Sequence, residues 1–344
     1  MAIRFNRKVY DKILAEFEPI SKSLISNLQS VVSPTSAITN LKTLADRVAL
    51  AEHLDMVKAD TYKPLFPING ITENMFIVSA CRGKVYIFYN PTSTSDNVTE
   101  VFIYDPFTNT VGGLKNKNIS PPYSRLPTMG AIDDFVFTYE ENIYYKGADS
   151  TTGNTVIYKF DTGYETSEVF TTLNVSIKNT RVFNNGSDAY ICYTPGPGIR
   201  RMYKLNMVTK TLTLIKDFGF TNTSNVTIGH FYNGNIYLLE SSVDQSNYVL
   251  YKYNPVTGTS TNAKTIPKAT SSSTMEGIGV GKYIYIFSHI MGTMTILNLD
   301  TYTIEEQGID YNLGGGLTPK VCMNRNRIYV YDNPWLGIVY PRLK

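Results

Sequence analysis

The sequence predicts a mainly β fold: a six-bladed β-propeller of four-stranded antiparallel blades, preceded by an α-helical segment. Three observations lead there. A tyrosine following a small or apolar residue recurs as Val85-Tyr86, Ile143-Tyr144, Ala189-Tyr190, Ile236-Tyr237, Ile284-Tyr285 and Ile328-Tyr329, with gaps of 58, 46, 47, 48 and 44 residues. A period in the forties built from strand formers marks blades set around an axis. A second marker runs in phase with it: Asp105, Asp161, Asn206, Asn254 and Asp300, each in a Thr-containing turn, are spaced 56, 45, 48 and 46 residues apart. The third observation is that helix periodicity is confined to the first 60 residues.

Apolar residues in that first part fall at Val9, Ile13, Phe17, Ile20, Leu24, Leu28 and Val31, spacings that keep one face of a helix apolar. Pro19 lies within the stripe and is expected to kink or restart the helix. Ser33-Pro34 opens a second helix from about 35 to 58, striped by Leu41, Leu44, Val48, Ala51 and Leu54. Such narrow seams suit contact between helices. Residues 1–60 are thus expected to be a docking or oligomerisation segment, with stabilising packing as the alternative, and residues 61–344 the propeller.

From Met75 onward the pattern changes to period-two alternation with turn punctuation, as half-buried strands require. In the second repeat the strands read as Phe135 to Glu140, Asn142 to Lys146, Thr155 to Phe160 and Ser167 to Thr172. Asp or Asn at the start of the following turn can bond its own backbone and reverse the chain. The sixth repeat begins near Val321 and stops one strand short, after Val339-Tyr340. Tyr62 to Phe66, ahead of the first repeat, is expected to supply the missing strand and close the ring.

Composition narrows the function classes. The 344-residue chain has a net charge of +3 and no long basic run, so no nucleic-acid partner is expected. No stretch of about 18 apolar residues occurs, so no membrane insertion is expected. The start, Met-Ala-Ile-Arg-Phe-Asn-Arg-Lys, has no signal-peptide pattern, and assembly in a cytoplasm is expected. Cys81, Cys192 and Cys322 are far apart and read as buried thiols. The three histidines, His53, His230 and His289, include no metal-ligand spacing, and no metal or other cofactor is expected. Gly314-Gly315-Gly316 precedes a strand, which is the wrong context for a phosphate loop. Trp335, the single tryptophan, is expected to be buried.

A strand such as Asn235-Ile236-Tyr237-Leu238, then Tyr251-Lys252-Tyr253 and Asn254-Pro255-Val256-Thr257, resembles the repeat of Kelch-type β-propellers. The resemblance spans roughly residues 62 to 344. The chain lacks the double glycine and the post-turn tryptophan of that repeat. The layout of a helical segment followed by a Ser/Thr/Asn-rich propeller also resembles tail and receptor-binding components of bacteriophage particles. That resemblance implies a non-enzymatic structural or adhesion protein. It would be an oligomer among other structural proteins of a virion made in a host cytoplasm, with glycan as a further contact. A carbohydrate-binding or carbohydrate-active Kelch-like protein is the alternative, and a cytoplasmic adaptor a third reading.

In a four-stranded blade the loops joining strands two to three share a face with the blade-to-blade connections. Here those loops read as long, at Asn90 to Val98, Gly147 to Asn154, Pro195 to Ile199 and Glu240 to Asn247. Function tends to sit on the longer loops of a rigid scaffold. The candidate binding residues on that face are Asp96, Asp149, Arg200, Glu240, Asp244 and His289, with no catalytic set among them.

Overall fold

The computed structural model describes residues 62–67, 76–89, 100–113, 135–148, 154–175, 177, 180–196, 199–220, 223–242, 244, 246–267, 275–288, 293–310, 319–324, 326–332 and 335–342. The helical stripe of residues 1–60, His53 and the glycines at 314–316 lie outside the described residues.

The described chain opens with β1 (Tyr62–Pro67). Blade 1 comprises β2 (Phe76–Cys81), β3 (Lys84–Tyr89), β4 (Glu100–Asp105) and β5 (Thr110–Gly113), and blade 2 comprises β6 (Val136–Tyr139), β7 (Asn142–Ala148), β8 (Thr155–Asp161) and β9 (Thr166–Leu173). Blade 3 is built of β10 (Thr180–Asn185), β11 (Asp188–Gly196), β12 (Ile199–Asn206) and β13 (Leu212–Phe220). Blade 4 follows with β14 (Thr223–Tyr232), β15 (Asn235–Ser242), β16 (Asn247–Tyr253) and β17 (Ser260–Pro267). Blade 5 has β18 (Met275–Val280), β19 (Tyr283–Ser288), β20 (Thr293–Asn298) and β21 (Thr303–Asp310). Blade 6 takes β22 (Lys320–Asn324), β23 (Arg327–Asp332) and β24 (Trp335–Val339) from the end of the chain, and β1 from its start.

The fold is thus a propeller of six four-stranded antiparallel sheets. Closure matches the sequence expectation: β1 pairs antiparallel with β24, Tyr62 opposite Val339 and Pro67 opposite Trp335, with a bulge between Pro64 and Phe66. The two ends of the described chain therefore share one sheet, and the ring has no open seam. The first strands of successive blades touch one another in a closed circle, β2 to β6, β10, β14, β18, β22 and back to β2, so they line the axis.

The recurring dipeptide explains how neighbouring blades adhere. Val85, Ile143, Ala189, Ile236, Ile284 and Ile328 are all 0% exposed, and the tyrosines after them are buried as well. Successive residues of a strand face opposite sides of its sheet. Each apolar residue accordingly packs into the cluster shared with the preceding blade, and each tyrosine into the cluster shared with the next. Ile143 meets Tyr86, Phe88 and Val101 of blade 1, while Tyr144 meets Ile191 and Leu205 of blade 3. Six such clusters account for the six blade interfaces. Burial pushes the Tyr86 and Tyr144 phenols up to about 12, so both stay neutral.

The turn marker has an equally plain cause. The side-chain oxygen of Asp105, Asp161, Asn206 and Asn254 accepts from the backbone N–H groups two and three residues on, at 2.8–3.4 Å. In blade 5 this acceptor is Asn298, bonded to the N–H of Asp300 and Thr301, and Asp300 itself is the residue bonded. The fifth marker is therefore Asn298, a correction to the expectation. Four residues past each marker the backbone has positive φ, at Asn109, Glu165, Lys210, Gly258 and Tyr302. A threonine follows every time, as Thr110, Thr166, Thr211, Thr259 and Thr303. Only blade 4 places glycine at the left-handed position, where an L side chain costs about 1 kcal/mol.

Candidate functional site

The inner strands enclose an axial channel of about 410 Å³, lined by residues of β2, β6, β10, β14, β18 and β22. Each inner strand ends in a two-residue turn, so positions can be counted back from it. Arg181, Glu276 and Lys320 each lie four residues before the end of their strand and nine before the repeated tyrosine of their blade. The equivalent residues of the other blades, Ile77, Phe135 and Ile228, are apolar. The shared register places the three charges at one height, towards the mouth flanked by the blade-to-blade connections. Arg181 Nη2 approaches Glu276 Oε2 at 3.0 Å, and Lys320 Nζ approaches the same oxygen at 3.6 Å. The Arg181 and Glu276 side chains are 7% and 8% exposed, and that of Lys320 is 14% exposed.

Two to three residues further along the axis the channel carries uncharged polar groups among its apolar ones. Thr138 donates to the Ala80 carbonyl at 2.8 Å, and its hydroxyl lies 3.0 Å from that of Ser79. A hydroxyl has one hydrogen, so Ser79 donates to Thr138 and keeps its own lone pairs for another donor. Asn184 donates to the Thr138 carbonyl at 2.7 Å. His230 Nε2 stands 2.8 Å from the Gly281 carbonyl, which makes it the protonated nitrogen, and burial lowers the pKa of the ring. Glycines admit these side chains: a Cβ on Gly279 would overlap the His230 ring, and one on Gly277 would meet Ile228 and the Tyr285 carbonyl.

A second ionic group sits between blades 3 and 4. Arg200 on β12 and Glu240 on β15 are 1% and 0% exposed and pair through Arg200 Nη1 and Glu240 Oε1. Burial pulls the Arg200 guanidinium down to about 10, still well above neutrality. The pair lines a 200 Å³ cavity with Phe218, Leu238 and Tyr251. The apolar cluster at this interface is the smallest of the six among the described residues.

The expected long-loop residues thus divide. Arg200 and Glu240 come together, but on strands in the blade interior. In blade 3 the expected loop Pro195 to Ile199 shrinks to residues 197–198, because β11 runs to Gly196 and β12 starts at Ile199. Asp244 is exposed and bound locally, accepting from the Ser242 hydroxyl, the Ser246 hydroxyl at 2.6 Å and the Ser246 N–H at 3.1 Å. These donors hold its carboxyl down at about 2, the Ser242 hydroxyl contributing most. Asp96, Asp149 and His289 lie outside the described residues.

Trp335 departs from its expected burial. It begins β24 beside Pro67 and is 36% exposed. The three cysteines are buried and free, as expected. Among the described residues no group of three or more His, Cys, Asp or Glu side chains is placed to hold a metal ion. The axial charges escaped the sequence reading, although a charge nine residues before the tyrosine in three blades was a legible signal. No protein-family model matches the chain, and no curated protein matches it significantly.

Proposed function

We propose that the chain is a non-enzymatic structural or adhesion protein with Kelch-like blades, a tail or fibre-associated component of a phage virion. Residues 1–60 dock on other structural proteins of the assembly, and the propeller presents a rigid platform. The observation that carries this reading is a set of exposed apolar turn tips. Phe107, Val208 and Val256 stand two residues past their Asp or Asn, and Tyr164 three past its own. They are 43%, 69%, 90% and 82% exposed. Single exposed apolar residues are ordinary. One on the same turn of four successive blades suits a partner that meets several blades at once, where linked weak contacts reinforce each other.

A second reading, carbohydrate binding, is favoured by Trp335, whose exposed ring can stack on a sugar while its N–H bonds a hydroxyl. Light scattering during size-exclusion chromatography tests the first reading on the full chain and on a chain starting at Asp60, which keeps β1 and ring closure. The reading predicts an oligomer for the full chain and a monomer for the shortened one. Two monomers of ordinary size would overturn the docking role. Capsid and tail genes beside the coding gene are the expected genomic setting.

A further inference from the structure

The axial charges do more than cross-link blades. A guanidinium from blade 3 and an ammonium from blade 6 converge on one carboxylate oxygen of blade 5, at the wall of a 410 Å³ space. That volume falls in the range of small-molecule sites, about 300–1,000 Å³. Arg and Lys recognise an anion, Arg by a planar fork that matches a carboxylate. Glu276 repels a bare anion and accepts from hydroxyl donors. Ser79 on blade 1 offers a second acceptor two register positions further along the axis, an axial offset of roughly 7 Å at 3.3 Å per residue. The complementary ligand has one anionic group and hydroxyls about one sugar ring distant.

We propose that the axial channel binds a hydroxylated carboxylate of sugar-acid size, a uronate, its carboxylate held by Arg181 and Lys320 and its hydroxyls by Glu276 and Ser79. Ile228 and Phe183, packed over Gly277 and Gly229, give the apolar wall against which a ring lies. This site is independent of the docking role: a propeller that docks through residues 1–60 and leaves the channel unused keeps that role and fails here.

The test is isothermal titration of the full chain with glucuronate, glucose, acetate and inorganic phosphate. Glucuronate is expected to bind at least tenfold more tightly than glucose, which lacks the charge, and than acetate, which lacks the hydroxyls. Lys320→Met is expected to weaken glucuronate about tenfold, a 1.4 kcal/mol loss, with an unchanged circular dichroism spectrum. Glu276→Gln is expected to narrow the preference for glucuronate over acetate. Equal binding of the three organic probes by the wild-type chain, or binding of none, overturns the proposal without any variant. Phosphate binding more tightly than glucuronate overturns the sugar-acid assignment in favour of a simple anion site. Glucuronate affinity unchanged in a folded Lys320→Met protein removes the site from the channel.

Discussion

Two buried ionic groups in this propeller each set an arginine on a glutamate, one inside a blade interface and the other at the axial channel. Arg200 and Glu240 pair with each other, 2% and 0% exposed at the side chain, inside the interface of blades 3 and 4. Arg181 and Lys320 both approach one oxygen of Glu276, and Lys320 keeps 14% of its side chain exposed at the wall of the axial channel. The buried pair joins the sheets of two neighbouring blades. The axial group stands at the wall of a cavity, where the proposed ligand would meet it.

The largest effect is expected at the buried Arg200–Glu240 pair. Glu240→Gln takes the carboxylate away from the buried Arg200 guanidinium, and an unfolding free energy lower by about 3–5 kcal/mol is expected in urea titration. A loss below about 1 kcal/mol would mean that water reaches this interface.

Next in size is the channel wall. Gly277→Ala drives a methyl into Ile228 and the Tyr285 carbonyl, for an expected cost of about 1–3 kcal/mol. The same substitution at a glycine meeting no atoms would lack the steric part. A neutral Gly277→Ala would show that the wall yields, and with it the shape argued for the ligand.

His230 gives the channel a pH signature. Burial depresses its folded pKa below the ordinary 6.5, so the unfolded chain takes up its proton first. The associated stability is present above pH 6.5 and lost as the pH falls through the folded pKa. Urea unfolding between about pH 7 and about pH 5 should therefore show a downward slope that His230→Gln flattens. Equal slopes would place the titration elsewhere. Asp161 and Asp244, both depressed by local donors, act only in the more acidic carboxylate range.

The smallest effects are expected far from both ionic groups. Asn254→Ala removes the acceptor of two turn N–H groups and should cost about 1 kcal/mol. Val256→Ser, at a tip 90% exposed, should leave the thermal midpoint unchanged, within about 0.5 kcal/mol.

Much of the scaffold could be read beforehand because its markers serve the blade itself. The Val/Ile/Ala-Tyr pair recurs because one residue serves the interface behind and the other the interface ahead. Closure through Tyr62 was legible because the sixth repeat lacked a strand. Asn298 was missed in favour of Asp300 since both are turn formers, and only the bonded N–H groups distinguish them. The cavity residues were harder to see. Arg200 was read as a loop residue because Pro195 to Gly198 resembles a loop in composition, whereas β11 carries on through Pro195 to Gly196. Arg181, Glu276 and Lys320 are 95 and 44 residues apart in sequence, and only a common register in separate blades brings them to one height.

The difference between the two groups comes to a single comparison: urea unfolding of Arg200→Met beside Lys320→Met, each removing one cation and keeping an aliphatic stem. Arg200→Met takes the guanidinium away from the buried Glu240 and should lose about 3–5 kcal/mol. Lys320→Met leaves the 3.0 Å Arg181–Glu276 pair in place and should lose clearly less than Arg200→Met. Equal large losses would show that Lys320 is a structural staple like Arg200, and would contradict a channel charge kept for a ligand.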